Sequence, residues 1–326
     1  MGRLGFILRR LAKAILVVFA IVVLNFLLIR LTPGDPAMVI AGESGAADEK
    51  FLADLRHEFG LDRPLLVQLA VYVGHVAQGD LGFSYRQRQP VVSLIAERLP
   101  PTLLLTGTAM ALALALGVTL GALAAMRAGS WSDSAITTSA LIVFATPSFW
   151  IGLMAVLLFS VQLDWLPPYG MTSVGENLSG LALIADIAQH LLLPATTLGL
   201  FFVAIYARLT RSAMLEVADL DYIRTARAKG LTESRVTRKH ILRNALLPVV
   251  SYAGLQAGYL VGGSVLIETV FAWPGIGRLA FEAVIGRDYT VLLGVFIVTS
   301  IMVISFNLLT DFIYTLVDPR IEPATS

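Results

Sequence analysis

The residue types that could do chemistry in this chain gather in one stretch, residues 208–243. It holds nine of the 24 Lys and Arg residues against four acids, Glu216, Asp219, Asp221 and Glu233. Elsewhere such residues are thinly spread. The four histidines, His57, His75, His190 and His240, share no metal-ligand spacing of the His-x-x-x-His kind. Cysteine is absent, which excludes disulfides, iron–sulfur clusters and thiolate zinc. There is no Gly-x-Ser-x-Gly element, no paired carboxylate inside an apolar run and no Gly-x-x-x-x-Gly-Lys-[Ser/Thr] phosphate loop. The expectation is therefore a chain with no catalytic residue, no metal and no cofactor of its own. A cationic stretch can still bind, either anionic lipid or a partner protein.

The order of residues within the stretch favours a partner. Asp219 and Asp221 stand where a helix N-terminus wants negative charge. Arg227 and Lys229 stand in the last turn, where the helix dipole favours cations, and Gly230 follows as a C-terminal glycine of positive φ. This pattern predicts a short helix over 220–229. Thr232 is placed to cap a second helix running to Leu246, with Pro248 near the start of the next apolar segment. A loop that only attracts lipid needs charge; it does not need two capped helices separated by a glycine.

The elements that must position this loop are membrane spans. The chain is 56% hydrophobic and only 14% charged, far below the quarter or so of charged residues in soluble domains. Charge-free windows at 14–29, 99–126, 134–163, 187–207, 244–267 and 289–310 predict six transmembrane helices. The first window is short, but Lys13 and Arg30 can snorkel, and no small-residue cleavage site follows it. The fold class is thus all-α, a polytopic membrane protein. Arg3, Arg9, Arg10 and Lys13 put the N-terminus inside, and six spans place both 208–243 and the C-terminus inside too.

The expected organisation is a tail and first helix at 1–31 and an external, partly helical segment at 32–98. A five-helix core follows at 99–317, with its cytoplasmic coupling loop at 208–247, and then a cytoplasmic tail at 318–326. Helical spacing in the external segment falls at 48–60 and 64–76. Pro147 and Pro194 should kink their spans. Gly117 and Gly121, and Gly254, Gly258 and Gly262, recur every fourth residue and should let a neighbouring helix approach closely. Polar residues at the spans, Ser251, Tyr252, Gln256, Tyr259 and Asn307, are candidates for a translocation pathway. Gln256 is the most demanding of them, because its amide needs partners in hydrocarbon.

These residues resemble a known family. DYIRTARAKGL followed by ILRNALLPVV resembles the EAA loop of ABC importer permeases, in the form of the dipeptide/oligopeptide (and nickel) branch. Of the Glu-Ala-Ala signature, at Arg224-Thr225-Ala226, only Ala226 matches; Gly230 and Leu247-Pro248 match, the latter at the longer spacing of that branch. LTPGDPA at 31–37, FGLDRPL at 59–65, GDLGFS at 79–84, ERLPPTL at 97–103, TPSFW at 146–150, LPPYG at 166–170, FAWPGIGRL at 271–279 and DFIYTLVDPRI at 311–321 extend the likeness over about 300 residues.

The resemblance implies a type I ABC importer permease in a bacterial or archaeal inner membrane. It implies a second permease subunit, two cytoplasmic ATPase subunits that carry ATP and Mg, and an external substrate-binding protein, with no nucleic acid among the partners. It implies that Asp221, Tyr222, Arg224, Thr225, Ala226, Ala228, Lys229 and Gly230 couple the chain to an ATPase. Cargo would be a small peptide or related solute, with nickel or another non-peptide solute as the alternative. A secondary transporter is the rival class, disfavoured because intramembrane ionisable groups are scarce. Asp311 is the exception and falls near a span end.

Overall fold

The computed structural model describes residues 3–31, 49–58 and 63–317. The chain divides into two compact units, one made of Met1–Thr102, Val261–Val265 and Pro274–Ser326, the other of Leu103–Leu260 and Leu266–Trp273. Apart from one two-residue hairpin, the described regular structure is helical.

In the first unit, helix α1 (Arg3–Leu31) is followed by α2 (Glu49–Glu58) and α3 (Leu65–Ala77). The last two coincide with the helical spacing read in the external segment. Val22 and Phe26 are the buried face of α1, and Phe26 meets the Tyr72 ring of α3 at 6.0 Å between centroids. Strands β1 (Phe83–Ser84) and β2 (Gln89–Pro90) pair antiparallel, Phe83 opposite Pro90 and Ser84 opposite Gln89.

Helix α4 (Val91–Met126) starts eight residues before the charge-free window at 99 and runs unbroken through Pro100 and Pro101. Its 36 residues extend about 54 Å at ~1.5 Å per residue, well beyond the ~30 Å of hydrocarbon. Charge windows mark the apolar part of a helix and miss an amphipathic end, here the turns holding Glu97 and Arg98. Val91, Leu94 and Ile95 bury that end against Ile276, Leu279, Ala283, Val291 and Val295. Two later helices supply those residues, α12 (Ile276–Ile285) and α13 (Tyr289–Val317). Asp288 joins this region to the hairpin: it accepts from the Ser84 hydroxyl at 2.5 Å and from the Val291 amide at 3.2 Å. On α1, Asn25 is buried but satisfied, donating to the Leu293 carbonyl at 3.2 Å.

In the second unit, α5 (Trp131–Ala145) and α6 (Ser148–Ala155) replace one straight span. Thr146 is extended (φ −91°, ψ 132°) ahead of Pro147, as the clash with a following proline ring requires, and the segments on either side of the break meet at 101°. The Pro147 kink expected from sequence is thus a full break. α6 continues as a π-helix, Val156–Gln162. Helix α7 (Gly180–Ala218) is continuous through Pro194 and runs ten residues past Arg208. Next come α8 (Asp221–Ala228), α9 (Glu233–Arg235), a second π-helix (Val236–Leu242), α10 (Arg243–Gly263) and α11 (Val265–Val270). Pro248 therefore lies inside α10 rather than at its start.

The core of this unit alternates small and large residues. Leu105, Ala109 and Ala113 of α4 recur every four residues and face Leu198, Phe202 and Tyr206 of α7, with Val249, Phe271 and Trp273 completing the cluster. Among the described residues, Arg9–Leu28, Val91–Met126, Gly180–Ala218 and Tyr289–Thr310 are long and apolar enough to cross a membrane, and the bent pair Trp131–Ala145 with Ser148–Gln162 is so only when its two helices are taken together. The expected span at 244–267 is helical from Arg243 to Gly263 and resumes at Val265.

Candidate coupling loop

The loop is built on a buried apolar base. Ala213 and Met214 of α7, Ile223 and Ala226 of α8, Val236 and Ile241 of the second π-helix and Ala245 of α10 form one cluster, with Ala122 and Ala125 of α4 against it. Of the eight coupling candidates, only Ala226 faces this cluster. Asp221, Tyr222, Arg224, Thr225 and Ala228 are exposed on the helix, and Lys229 and Gly230 are exposed just past its end. Ile223, which sequence reading did not single out, is the fully buried anchor. Its three-residue spacing from Ala226 was the available signal.

Helix α8 starts at Asp221 with Leu220, not Asp219, in the N-cap position, and no side chain caps it. Asp219 instead closes α7. Thr232 occupies the N-cap position of α9 but its hydroxyl caps nothing. The other end of α8 matches expectation. Gly230 has φ +78°; its amide donates to the Arg227 carbonyl at 2.9 Å, and the Leu231 amide donates to Ala226 at 3.4 Å. This is the Schellman arrangement, which satisfies carbonyls the helix end would leave orphaned. No atom lies within 4 Å of where a Cβ on Gly230 would stand, so backbone conformation alone calls for glycine there.

Two side-chain links fix the loop's shape. Arg227 reaches across the glycine turn to Glu233, Nη2 to Oε1 at 2.8 Å and Nε to Oε2 at 3.3 Å. The hydrogen bond from Arg227 holds the Glu233 carboxyl below the usual carboxylate range and raises the guanidinium in turn. Asn244 of α10 donates to the Tyr222 hydroxyl at 2.8 Å and to the His240 carbonyl at 2.8 Å, tying the exposed face of α8 to the π-helix.

A third link anchors the base of the loop. Arg211 of α7 clasps Asp133 of α5 with Nε to Oδ1 at 2.6 Å and Nη2 to Oδ2 at 2.8 Å. Asp133 is buried and also accepts from the Gly129 amide at 2.9 Å, while its own amide donates to Ser130. The Ser-x-x-Asp spacing at 130–133 hints at such a capped start. Its partner, 78 residues away, leaves no local signal.

The glycines and pathway candidates fall as follows. A Cβ at Gly117 would stand 2.6 Å from Tyr206 Cβ, and one at Gly121 would collide with the Ala207 carbonyl, so α4 and α7 touch backbone to backbone there. On α10, Gly254 is half-buried and Gly258 buried; the surroundings of Gly262 and the side chain of Tyr259 lie outside the described residues. Ser251 bonds back to the Leu247 carbonyl at 2.7 Å, and the Tyr252 ring sits edge-on to Tyr206 at 6.1 Å. Gln256 is half-buried, and among the described residues no protein group hydrogen-bonds its amide. Asn307 is half-buried on α13, in the first unit. The side chain of Asp311 lies outside the described residues.

Residues 117–323 match the family described as binding-protein-dependent transport system inner membrane component, and residues 3–106 match the N-terminal part of such components. The chain belongs to this family. It is a multi-pass inner membrane component and a permease subunit of an ABC importer.

Similarity to individual proteins runs the whole length of this component. It is 43% identical over 333 residues to the di/tripeptide transport system permease protein DppB of Pseudomonas aeruginosa, covering 98% of this chain and 99% of that one. It is 42% identical over 317 residues to a probable peptide ABC transporter permease protein of Sinorhizobium fredii, covering 97% and 99% respectively. Among solved structures, the inward facing MetNI methionine ABC transporter shares the fold with a TM-score of 0.56 at 22% identity, over 69% of this component and 96% of that chain.

Proposed function

We propose that this inner membrane component forms half of a pathway for short peptides and is driven by separate ATPase subunits docking on α8. The observation that carries the docking reading is the division of α8 into two faces. Ile223 and Ala226 lock one face to α4, α7 and α10, so the exposed Tyr222, Arg224, Thr225 and Lys229 are held on a rigid base. A helix mounted this way transmits a push, because packed cores deform little. A second permease subunit completes the pathway, and an external binding protein delivers the cargo. ATP and Mg belong to the ATPase subunits, in keeping with the lack of a phosphate loop in this sequence.

The peptide cargo rests on the names of the full-length relatives. Nickel or another non-peptide solute is the second reading. In the topology that goes with this function there are six spans with both termini in the cytoplasm, supported by the positive charge at 3–13 and 208–243. Uptake of a labelled dipeptide by vesicles holding both permeases, both ATPases and the binding protein tests the cargo. Uptake that requires ATP and is competed by other dipeptides supports it; transport of nickel alone would replace it. Thiol labelling of Ser234→Cys should occur only from the cytoplasmic side, and labelling in intact cells by an impermeant reagent would refute the topology.

A further inference from the structure

Helix α3 carries a surface that the docking of an ATPase does not use. Leu65–Ala77 reads LLVQLAVYVGHVA, without an aspartate, glutamate, lysine or arginine. Its 13 residues extend about 20 Å at ~1.5 Å per residue, too short to cross a membrane. Within a chain, an apolar helix of this length is either a core helix or a segment lying in the membrane interface. It is not a core helix. Leu65 is 60% and Leu66 81% exposed, and Val67 and Ala70 are exposed beside them. The buried residue of α3 is Gln68, which donates to the Arg63 carbonyl at 2.6 Å.

Helices α1 and α13 fix its level. Asn25, four residues inside the end of the charge-free window 14–29, donates to the carbonyl of Leu293, four residues inside the start of the window 289–310. The two windows therefore end at one level, about 6 Å beyond that bond. Phe26 follows Asn25, and its ring meets that of Tyr72, in the middle of α3, at 6.0 Å. Leu81, four residues past the end of α3, stands 3.6 Å from where a Cβ on Gly294 would lie. The middle of α3 and the chain leaving it are thus both inside the edge of the apolar layer. Charged groups flank the helix: Arg63 precedes it, and near its end His75 Nδ1 stands 2.9 Å from Asp80 Oδ2.

Leucines this exposed, at this level, are matched by hydrocarbon. A soluble partner that docks and leaves uses a face about as polar as the rest of a protein surface, and Leu65, Leu66, Val67 and Ala70 offer no polar side chain. The helix that α3 packs on, α1, likewise exposes Leu24, Leu27 and Leu28. We propose that α3 lies in the lipid, with Leu65, Leu66 and Val67 among the acyl chains of the leaflet that holds the C-terminal end of α1, the outer one in the topology above. The segment 32–98 then has a membrane-embedded foot. The proposal rests on α1 and α13 spanning the membrane, and on neither the cargo nor the docking role of α8.

A nitroxide on a single introduced cysteine tests it, in the full chain reconstituted with its transport subunits into vesicles of phosphatidylethanolamine and phosphatidylglycerol. Oxygen concentrates in hydrocarbon and a nickel chelate in water, so relaxation of the label by each reagent reports its surroundings. At Leu65→Cys and Leu66→Cys oxygen should relax the label more than the chelate does, as at Leu24→Cys on the exposed side of α1. At Arg88→Cys, exposed beside strand β2, the order should reverse. Stronger relaxation by the chelate at both Leu65→Cys and Leu66→Cys would put α3 in water and overturn the proposal. Exclusion of both reagents at both positions would also overturn it, since a protein partner would then cover the face.

Discussion

Arg211 and Asp133 grip each other through two hydrogen bonds, at 2.6 and 2.8 Å, across 78 residues of sequence. Arg211 lies on the part of α7 that extends past the apolar window into the basic loop, and Asp133 lies in the first turn of α5. The pair therefore fastens the root of the basic loop to the start of α5. Removing Arg211 leaves the buried Asp133 carboxylate without its mate, which destabilises more than removing both. Arg211→Ala should lower the melting temperature of the purified chain by more than the Asp133→Ala/Arg211→Ala double variant does. A melting series in which the two losses simply add would mean the pair contributes no coupling.

Gly230 sets the end of α8 through its backbone. Gly230→Val places a β-branched residue at φ +78°, a local strain of about 1–2 kcal/mol. Asparagine tolerates that region far better. The expected order in substrate-stimulated ATP hydrolysis coupled to uptake is wild type, then Gly230→Asn, then Gly230→Val, with all three inserted in the membrane equally. Equal coupling in the valine and asparagine variants would remove the helix end from the mechanism.

The base and the face of α8 should respond to mutation differently. Ile223→Ala empties part of the cluster and should cost about 2–5 kcal/mol, as large-to-small core changes do. Arg224→Ala changes an exposed side chain and should leave stability within about 0.5 kcal/mol. Thermal unfolding and co-purification with the ATPase measured on both variants separate the two: Ile223→Ala should lose stability first, Arg224→Ala should lose ATPase affinity alone. Normal stability in Ile223→Ala would contradict the buried-anchor assignment.

Sequence reading located the loop well for a physical reason. A helix's charge asymmetry and its terminal glycine are local, so residues 220–230 carry their own description, and the observed Asp221–Ala228 differs by a residue or two at each end. Pro147 likewise announced the break in the third span. Features set by tertiary contact were silent. The Asp133–Arg211 pair joins distant segments, and the π-helix at Val156–Gln162 disturbs a hydrophobic pattern too uniform to show it. The start of α4 was missed because Glu97 and Arg98 end the charge-free window while the helix continues past them.

Gln256 offers a test of the pathway. It lies among residues of α10 whose glycines, Gly254 and Gly258, are two positions away on either side, which puts the amide about 200° around the helix from each. In a wet pathway beside α10, this half-buried amide would meet water or cargo. Gln256→Leu should leave the permease pair assembled and alter the rate or range of transport, whereas Gly258→Leu should prevent assembly by separating packed backbones. Paired co-purification and uptake assays decide. Unchanged transport of several cargoes by Gln256→Leu would return this residue to a packing role.

In the function proposed for this permease, an ATPase docks on the exposed face of α8. The chain has no cysteine, so one introduced at Arg224 is a unique reporter. In membranes holding the assembled transporter, a short thiol-reactive crosslinker on Arg224→Cys should capture the ATPase subunit in high yield. The same reagent on Ile223→Cys, which points into the apolar base, should capture none. Capture from neither Arg224→Cys nor Thr225→Cys, in a transporter that still hydrolyses ATP in response to substrate, would contradict the account.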